Sequence, residues 1–105
     1  MLSPTKRGCA VEYRAALLFL EAGFEVFPNI SADGPADLIV WDGDTAYPID
    51  TKKLTVYVRA DGSKGYSGNY SKKTRVPNVH YLGWSEDGWM WLYTPPERLL
   101  EVALV

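Results

Sequence analysis

Two aspartates and a lysine are spaced so that together they could carry out metal-assisted hydrolysis. Asp50 and Lys52 are separated by one residue, inside a stretch whose composition predicts a β-strand over residues 46–58. Side chains at positions i and i+2 of a strand point to the same face. Asp37 begins the preceding apolar strand, and Asp42–Gly43 predicts a tight hairpin turn between the two. We therefore expect the three side chains to meet at one end of a hairpin.

Two carboxylates and an ammonium suit the hydrolysis of a phosphodiester. Carboxylate oxygens are the ligands that Mg²⁺ prefers, and Mn²⁺ is expected to substitute for it. Lys52 could orient or deprotonate the attacking water, or stabilise charge in the transition state. The peptide carbonyl of Thr51 is a further candidate metal ligand. The alternative is a surface ion pair on a hairpin, which contributes under ~1 kcal/mol.

The elements that must position these residues predict an α+β fold with a mixed, mostly antiparallel sheet. Ser3 and Pro4 are typical of a helix start, and Gly23 is typical of a helix end. The predicted elements are a helix from residue 3 to about 22, strands at 24–27, 37–41 and 46–58, a long loop at 60–78, a hairpin of 79–82 with 89–93, and a short helix at 97–102.

Length and composition predict one small domain over residues 1–105. The single cysteine, Cys9, excludes an internal disulfide and a cysteine-based zinc site, and we expect it to be a buried structural thiol. The N-terminus lacks the apolar run of a signal peptide, and no stretch approaches the ~20 apolar residues of a membrane span. These features predict a cytoplasmic protein.

The charge is distributed unevenly along the chain. The net charge is −2, yet residues 52–75 hold seven basic residues and one acid, Asp61, a net of +6. Clustered positive charge favours a polyanion as partner. The alternative is a solvated loop. The candidate DNA-binding residues are Lys53, Lys64, Tyr70, Lys72, Lys73 and Arg75, which supply cations for phosphates and an aromatic ring for stacking.

These motifs resemble the PD-(D/E)XK nuclease superfamily, whose signature is an aspartate at a strand start followed by D/E-x-K on the next strand. The matching segments are Gly34–Val40, with its proline displaced by one residue, and Pro48–Lys52. Small members, such as archaeal Holliday-junction resolvases and group I intron-encoded endonucleases, also carry a glycine and a glutamate on the first helix, as Gly8 and Glu12 do here. Gly23–Val26 matches the end of that helix. The resemblance covers roughly residues 6–54.

The resemblance implies a restriction-endonuclease-like core and a Mg²⁺-dependent DNA endonuclease, either structure-selective like a junction resolvase or of the homing or nicking type. It implies that Asp37 and Asp50 bind the metal, that Lys52 is the catalytic lysine and that Glu12 is an auxiliary acid. The chain departs from the superfamily at residues 60–78, which are too rich in glycine for the usual helix.

Two other classes of protein remain open. A non-catalytic DNA-binding or assembly subunit could keep this fold, although a DNA binder has no need of an acid pair facing an anion. A general protein-interaction domain would leave the acids and the basic stretch unexplained. For the nuclease we expect a homodimer or higher homo-oligomer, because a short chain has little room for a separate recognition domain. The aromatic second hairpin is the candidate interface.

Overall fold

The computed structural model describes residues 4–30, 34–68, 70 and 74–102. It confirms the predicted α+β class, with a mixed sheet, an N-terminal helix and a short C-terminal helix. Its elements are α1 (Pro4–Glu21), β1 (Glu25–Pro28), β2 (Leu38–Trp41), β3 (Ala46–Lys53), β4 (Thr55–Val58), β5 (Lys64–Ser67), β6 (His80–Ser85), β7 (Gly88–Trp91) and α2 (Glu97–Leu100).

Helix α1 buries one apolar stripe against the sheet. Val11, Ala15 and Phe19 recur every four residues and are buried. The helix ends where Gly23 adopts a φ of 92°, a left-handed conformation that glycine reaches without strain. Cys9 is exposed, so the prediction of a buried thiol is wrong. It lies two positions before Val11, about 200° around the helix from the buried stripe.

The main sheet has five strands in the order β1-β2-β3-β6-β7. All neighbours are antiparallel except β3 and β6, which are parallel. The turn between β2 and β3 is closed by the Asp42 carboxylate, which accepts hydrogen bonds from the backbone N–H groups of Asp44 and Thr45. It sets a register in which Leu38 pairs with Ile49, as the hairpin prediction requires.

One hydrophobic core lies between the sheet and the helices. Phe19 and Phe24 meet edge to face, with ring centroids 5.6 Å apart, above Val40, Ile49 and other strand residues. Leu99 of α2 and Val102 just beyond it close the same core. Among the described residues, no helix is long and apolar enough to cross a lipid bilayer.

The region after Lys53 differs from the sequence-based expectation. The predicted strand over residues 46–58 is divided at Leu54, and its second part pairs with β5 as a separate two-stranded sheet. Part of the predicted loop over 60–78 is therefore a strand. The C-terminal helix covers Glu97–Leu100 and is therefore shorter than the predicted helix over residues 97–102.

Candidate active site

Asp37 is fixed by its own backbone directly before β2. Its N–H donates to the carbonyl of Ile49 at 2.8 Å, and its carbonyl accepts from the N–H of Asn29 at 3.0 Å. Because Leu38 pairs with Ile49, the next pair outward is Asp37 beside Asp50. The two carboxyl groups are within hydrogen-bonding reach of each other, and this contact contributes to a raised pKa of Asp50.

Thr51 holds the Asp37 carboxylate in place. The backbone N–H and the side-chain hydroxyl of Thr51 donate to Asp37 Oδ2 at 2.7 and 2.9 Å. Strand β2 begins at Leu38, so Thr51 of β3 has no paired residue on β2. The Asp37 side chain accepts the hydrogen bond that such a residue would have accepted. The N–H and C=O of one residue leave a strand on the same side. The Thr51 carbonyl therefore also faces the end of the hairpin where Asp37 lies.

Lys52 and Asp50 form an ion pair on the same face of β3. Lys52 Nζ lies 3.1 Å from Asp50 Oδ2, with the two side chains 27% and 14% exposed. The one-residue spacing places both on one side of the strand, as the sequence predicts. The ammonium and this carboxylate are therefore partly shielded from solvent and line the same cleft as Asp37.

Glu12 reaches the same group of acids from helix α1. Burial, the charge of Asp37, a hydrogen bond with Asp37 and the charge of Asp50 together raise the pKa of Glu12 to about 7. Glu12 and Asp37 also line a second cavity of about 370 Å³, on the helix side of the site. Asp37 therefore lies between Glu12 and Asp50.

Asp50 is also harder to ionise than an ordinary aspartate. Burial, a hydrogen bond with Asp37 and the charge of Asp37 raise its pKa to about 6, although Lys52 opposes the shift. Both raised pKa values have the same origin, since three carboxyl groups crowd one poorly solvated place. Protons or a bound cation can relieve that repulsion.

The donor set fits a hard divalent cation with few protein ligands. All the candidate donors are oxygens, which Mg²⁺ prefers. Among residues 4–30, 34–68, 70 and 74–102, no three acidic, histidine or cysteine side chains converge closely enough to form a metal cage by themselves. Mg²⁺ is commonly held by one or two carboxylates, with waters and substrate phosphate completing the shell, so two carboxylates at an open cleft suffice.

The acids open onto a cleft of about 440 Å³, which we call the active-site cleft. Its far wall includes Tyr81, a buried β6 residue whose hydroxyl accepts a hydrogen bond from the Val76 N–H at 2.8 Å. The residues around the cleft are Gly34, Pro35, Asp37, Asp50, Lys52, Tyr70, Thr74, Val76 and Tyr81.

The predicted DNA-binding residues occupy different places. Tyr70 lines the cleft. Lys53 is exposed and directly follows Lys52, which also lines the cleft. Arg75 stacks its guanidinium over the Tyr93 ring, 4.2 Å from the centroid. The Lys64 Nζ lies 3.2 Å from Asp87 Oδ1, and Lys64 is not among the residues that line the cleft. Lys72 and Lys73 lie outside the described residues.

Sequence reasoning missed one residue of the site, Tyr81, and the role of one side chain, that of Thr51. The side chain of Thr51 was not considered, since alternation places it on the face opposite Asp50 and Lys52. Its contact arises because Asp37 lies just before β2 begins, a placement that the local pattern does not reveal. Tyr81 was read only as a strand residue, and the parallel pairing of Asp50 with Tyr81 is what brings it to the cleft.

Comparison with known proteins gives a likeness of fold. No protein-family profile matches the chain, and no curated protein matches it either. Among solved structures, the bacterial homing endonuclease I-Ssp6803I superposes with a TM-score of 0.65 at 13% sequence identity. The alignment covers 87% of this chain and 67% of that one. The fold is therefore shared with an endonuclease, while the site must be argued from its own residues.

Proposed function

We propose that this protein is a divalent-metal-dependent DNA endonuclease that hydrolyses phosphodiester bonds. The observation that carries the proposal is the meeting of Asp37, Asp50 and Lys52 at one cleft, with Glu12 behind them. A carboxylate pair beside an ammonium suits a phosphate substrate with a cation. The shared fold with a homing endonuclease supports the same class of reaction.

Each residue of the site would have its own task. Asp37, Asp50 and the carbonyl of Thr51 would hold Mg²⁺ or Mn²⁺, which when bound would supply charge neutralisation and polarise the phosphate. Lys52 would donate hydrogen bonds to a phosphoryl oxygen as negative charge develops on it. The N–H and hydroxyl of Thr51 would keep the Asp37 carboxylate fixed. Glu12 would act as an auxiliary acid next to Asp37.

Within this class, the homing type is favoured over the junction-resolvase type. The support is the structural neighbour I-Ssp6803I, which is a homing endonuclease. A nicking enzyme or a structure-selective enzyme would use the same chemistry and differ in the DNA it accepts. Incubation with linear, nicked, single-stranded and four-way-junction DNA in Mg²⁺ or Mn²⁺ separates these types by their products.

The central test is Lys52→Ala. A lysine that acts on developing charge contributes to rate rather than to ground-state binding. We expect cleavage of DNA to fall by at least about 100-fold, in line with the loss of one donor to a developing oxyanion, while DNA affinity stays nearly unchanged. Gel assays of cleavage and fluorescence anisotropy of binding measure the two quantities separately.

Two variants serve as controls. Lys53→Ala removes the same charge one residue away from an exposed position and should leave the rate at saturating DNA close to that of the unmutated protein. Glu25→Gln removes an acid at the far end of the β1–β2 pair, where Glu25 pairs with Trp41, and should change neither quantity. An unmutated protein that binds DNA but cuts none with either metal would contradict the proposal and support the non-catalytic DNA-binding subunit.

A further inference from the structure

Strands β4 and β5 form a two-stranded ribbon that begins and ends beside the active-site cleft. Thr55 follows Lys52 by three residues, and Ser67 precedes Tyr70 by three. The ribbon is a sheet of its own, separate from the five-stranded sheet. It inserts into the connection between the parallel strands β3 and β6, so it projects from the rim of the site.

One face of the ribbon is anchored to the body of the protein. Lys64 and Tyr66 are two residues apart on β5 and therefore share a face. The Tyr66 hydroxyl donates to Asp87 Oδ2 at 2.9 Å, and Lys64 Nζ lies 3.2 Å from Asp87 Oδ1. Asp87 belongs to the β6–β7 turn, so this turn supports the ribbon from behind.

The opposite face is open to solvent and made of hydrogen-bonding groups. Thr55 pairs with Ser67 and Tyr57 pairs with Gly65, so their side chains share this face. The pairing continues to Arg59, whose N–H donates to the Ser63 carbonyl at 2.7 Å. We call this surface the open ribbon face, with residues Thr55, Tyr57, Arg59, Ser63 and Ser67.

A glycine allows the aromatic ring on this face to lie flat. The Tyr57 ring covers Gly65, where a Cβ atom would overlap the ring. The Arg59 guanidinium in turn lies over the ring, 5.4 Å from its centroid. Its Nη1 donates to the carbonyl of Lys64 and, at 3.4 Å, to the Ser63 hydroxyl, and its Nη2 donates to the Tyr57 hydroxyl at 3.5 Å. A guanidinium has five N–H donors, so these contacts fix its plane and leave donors for a ligand.

The charge on the open ribbon face is positive. Arg59 is the charged member of the set defined above. The nearby acid, Asp61, lies at the tip, where its carboxylate accepts from the N–H and hydroxyl of Ser63 at 2.9 and 2.6 Å. Asp87 lies behind the opposite face. A planar cation supported by hydroxyl groups is complementary to an anionic ligand that also carries hydrogen-bond acceptors.

We propose that the open ribbon face enters the major groove of duplex DNA and reads base edges, with Arg59 as the principal reader. The inference rests on the proposed function and adds to it how the DNA is selected. The major groove of B-DNA is about 12 Å wide and admits a two-stranded ribbon. An arginine held in one plane suits the paired acceptors of guanine in that groove. Duplex DNA bound there would run on into the active-site cleft.

The test is a binding selection from a random-sequence duplex library, carried out in EDTA so that it does not depend on cleavage. The unmutated protein should enrich one base at a defined position. Arg59→Ala should lose that preference by about tenfold, the scale of one bidentate base contact. Arg59→Lys keeps the charge but not the planar fork, so it should keep the salt dependence of binding and still lose the base preference.

Two further variants separate reading from folding. Gly65→Ala keeps both Tyr57 and Arg59 but displaces the ring, so it should weaken the same base preference. Val58→Thr changes an exposed residue, 68% accessible, that pairs with Lys64 on the anchored face, and should keep the preference intact. Thermal denaturation of each variant establishes that it is folded.

The outcomes distinguish this inference from the proposed function. An Arg59→Ala variant that keeps the original base preference would overturn the ribbon as reader and leave the nuclease untouched. A protein that binds duplexes without any base preference, or that binds single-stranded DNA, RNA or a protein instead, would also overturn it. Absence of metal-dependent cleavage would contradict the nuclease, while a base preference that depends on Arg59 would still support the ribbon.

Discussion

The Asp37 carboxylate is the most constrained group of the candidate site. It accepts two hydrogen bonds from Thr51, approaches Asp50 on one side and meets Glu12 on the other. These contacts hold the carboxylate in one orientation. Pre-organised ligands of this kind lower the cost of binding a metal, because no side chain must be ordered at that moment.

Thr51→Val removes the hydroxyl that holds Asp37 and keeps the backbone N–H. We expect the concentration of Mg²⁺ needed for half-maximal cleavage to rise about tenfold or more, since hydrogen-bond partners of metal ligands contribute on that scale. Stability should fall by only about 1 kcal/mol, the contribution of one hydrogen bond. Thr51→Ser, which keeps the hydroxyl, is the matched control. Equal Mg²⁺ dependence in both variants would contradict this role.

The crowded acids should make the metal-free protein less stable as the pH rises. The pKa of Glu12 goes from an ordinary 4.5 to about 7 on folding, and that of Asp50 from 3.8 to about 6. Between these limits the folded state holds more protons than the unfolded chain, so the contribution of both groups to the free energy of unfolding decreases with increasing pH. In EDTA, the Tm should therefore fall from pH 5 to pH 8 more steeply than in Asp50→Asn.

Mg²⁺ should reverse that loss where the acids are ionised. We expect millimolar Mg²⁺ to raise the Tm of the unmutated protein at pH 8, to raise it much less at pH 5, and to have little effect on Asp50→Asn at either pH. Thermal denaturation followed by circular dichroism measures all of these. If the Tm of the unmutated protein and that of Asp50→Asn change with pH in the same way, and neither responds to Mg²⁺, the acids do not form a cation site.

Among the elements, the anchor between the ribbon and the β6–β7 turn is open to a direct test. Asp87→Ala removes the partner of Lys64 and Tyr66. Because the contact is exposed, the Tm should change little. The backbone amides of β4 and β5 should nevertheless exchange with deuterium faster, since the ribbon loses its support from behind. Glu86→Ala, next to it in the same turn, is the control, and unchanged exchange in Asp87→Ala would refute the anchor.

The hairpin of β2 and β3 could be read from the sequence, whereas the division of the next strand could not. Both signals for the hairpin are local. The Asp42–Gly43 turn predicts the pairing of β2 with β3, and the one-residue spacing of Asp50 and Lys52 predicts that their side chains share a face. Leu54, Val56 and Val58 continue the alternation without any break. The strand divides at Leu54 because this buried side chain fills the space above Gly68 and Gly83, which are distant in sequence.

Strand β5 was missed for a related reason. Its glycine lowers the local preference for a strand, and its stabilising partner is the ring of Tyr57 on another strand. The candidate site was more accessible to sequence reasoning, because short-range spacing and one turn define most of it. Two parts of the site are less predictable. The contact of Thr51 with Asp37 depends on where β2 begins, and the position of Tyr81 across the cleft depends on the parallel pairing of β3 with β6.

For the whole molecule, the aromatic second hairpin is largely used in packing. Trp89 and Trp91 pack against the hydrophobic core, and the guanidinium of Arg14 lies 5.0 Å from the Trp84 ring centroid. The second hairpin is therefore a poorer candidate interface than the sequence indicated. Exposed apolar side chains lie instead on β1 and β2, where Phe27 and Ile39 are 52% and 38% accessible.

One active site is expected to cut one strand, so a double-strand break calls for two subunits. We propose a homodimer or higher homo-oligomer on DNA, which sedimentation velocity of the protein–DNA complex can measure. Mixing unmutated and Lys52→Ala subunits should convert double-strand breaks into nicks, because mixed oligomers hold one working site. A loss of double-strand product without accumulation of nicks would argue for a monomer that cuts both strands in turn.

The parallel pairing of β3 and β6 also governs the order in which the chain assembles. Ile49 pairs with His80, 31 residues further on, whereas the β2–β3 and β4–β5 hairpins join strands that are close in sequence. Local hairpins form in about 1–10 μs, and closure over a longer separation is slower. We therefore expect Asp50 and Lys52 to gain their second neighbouring strand late in folding. A chain still emerging from the ribosome would hold its acids without the cleft wall that Tyr81 provides, so under the proposed function we expect no DNA cleavage until β6 has joined the sheet.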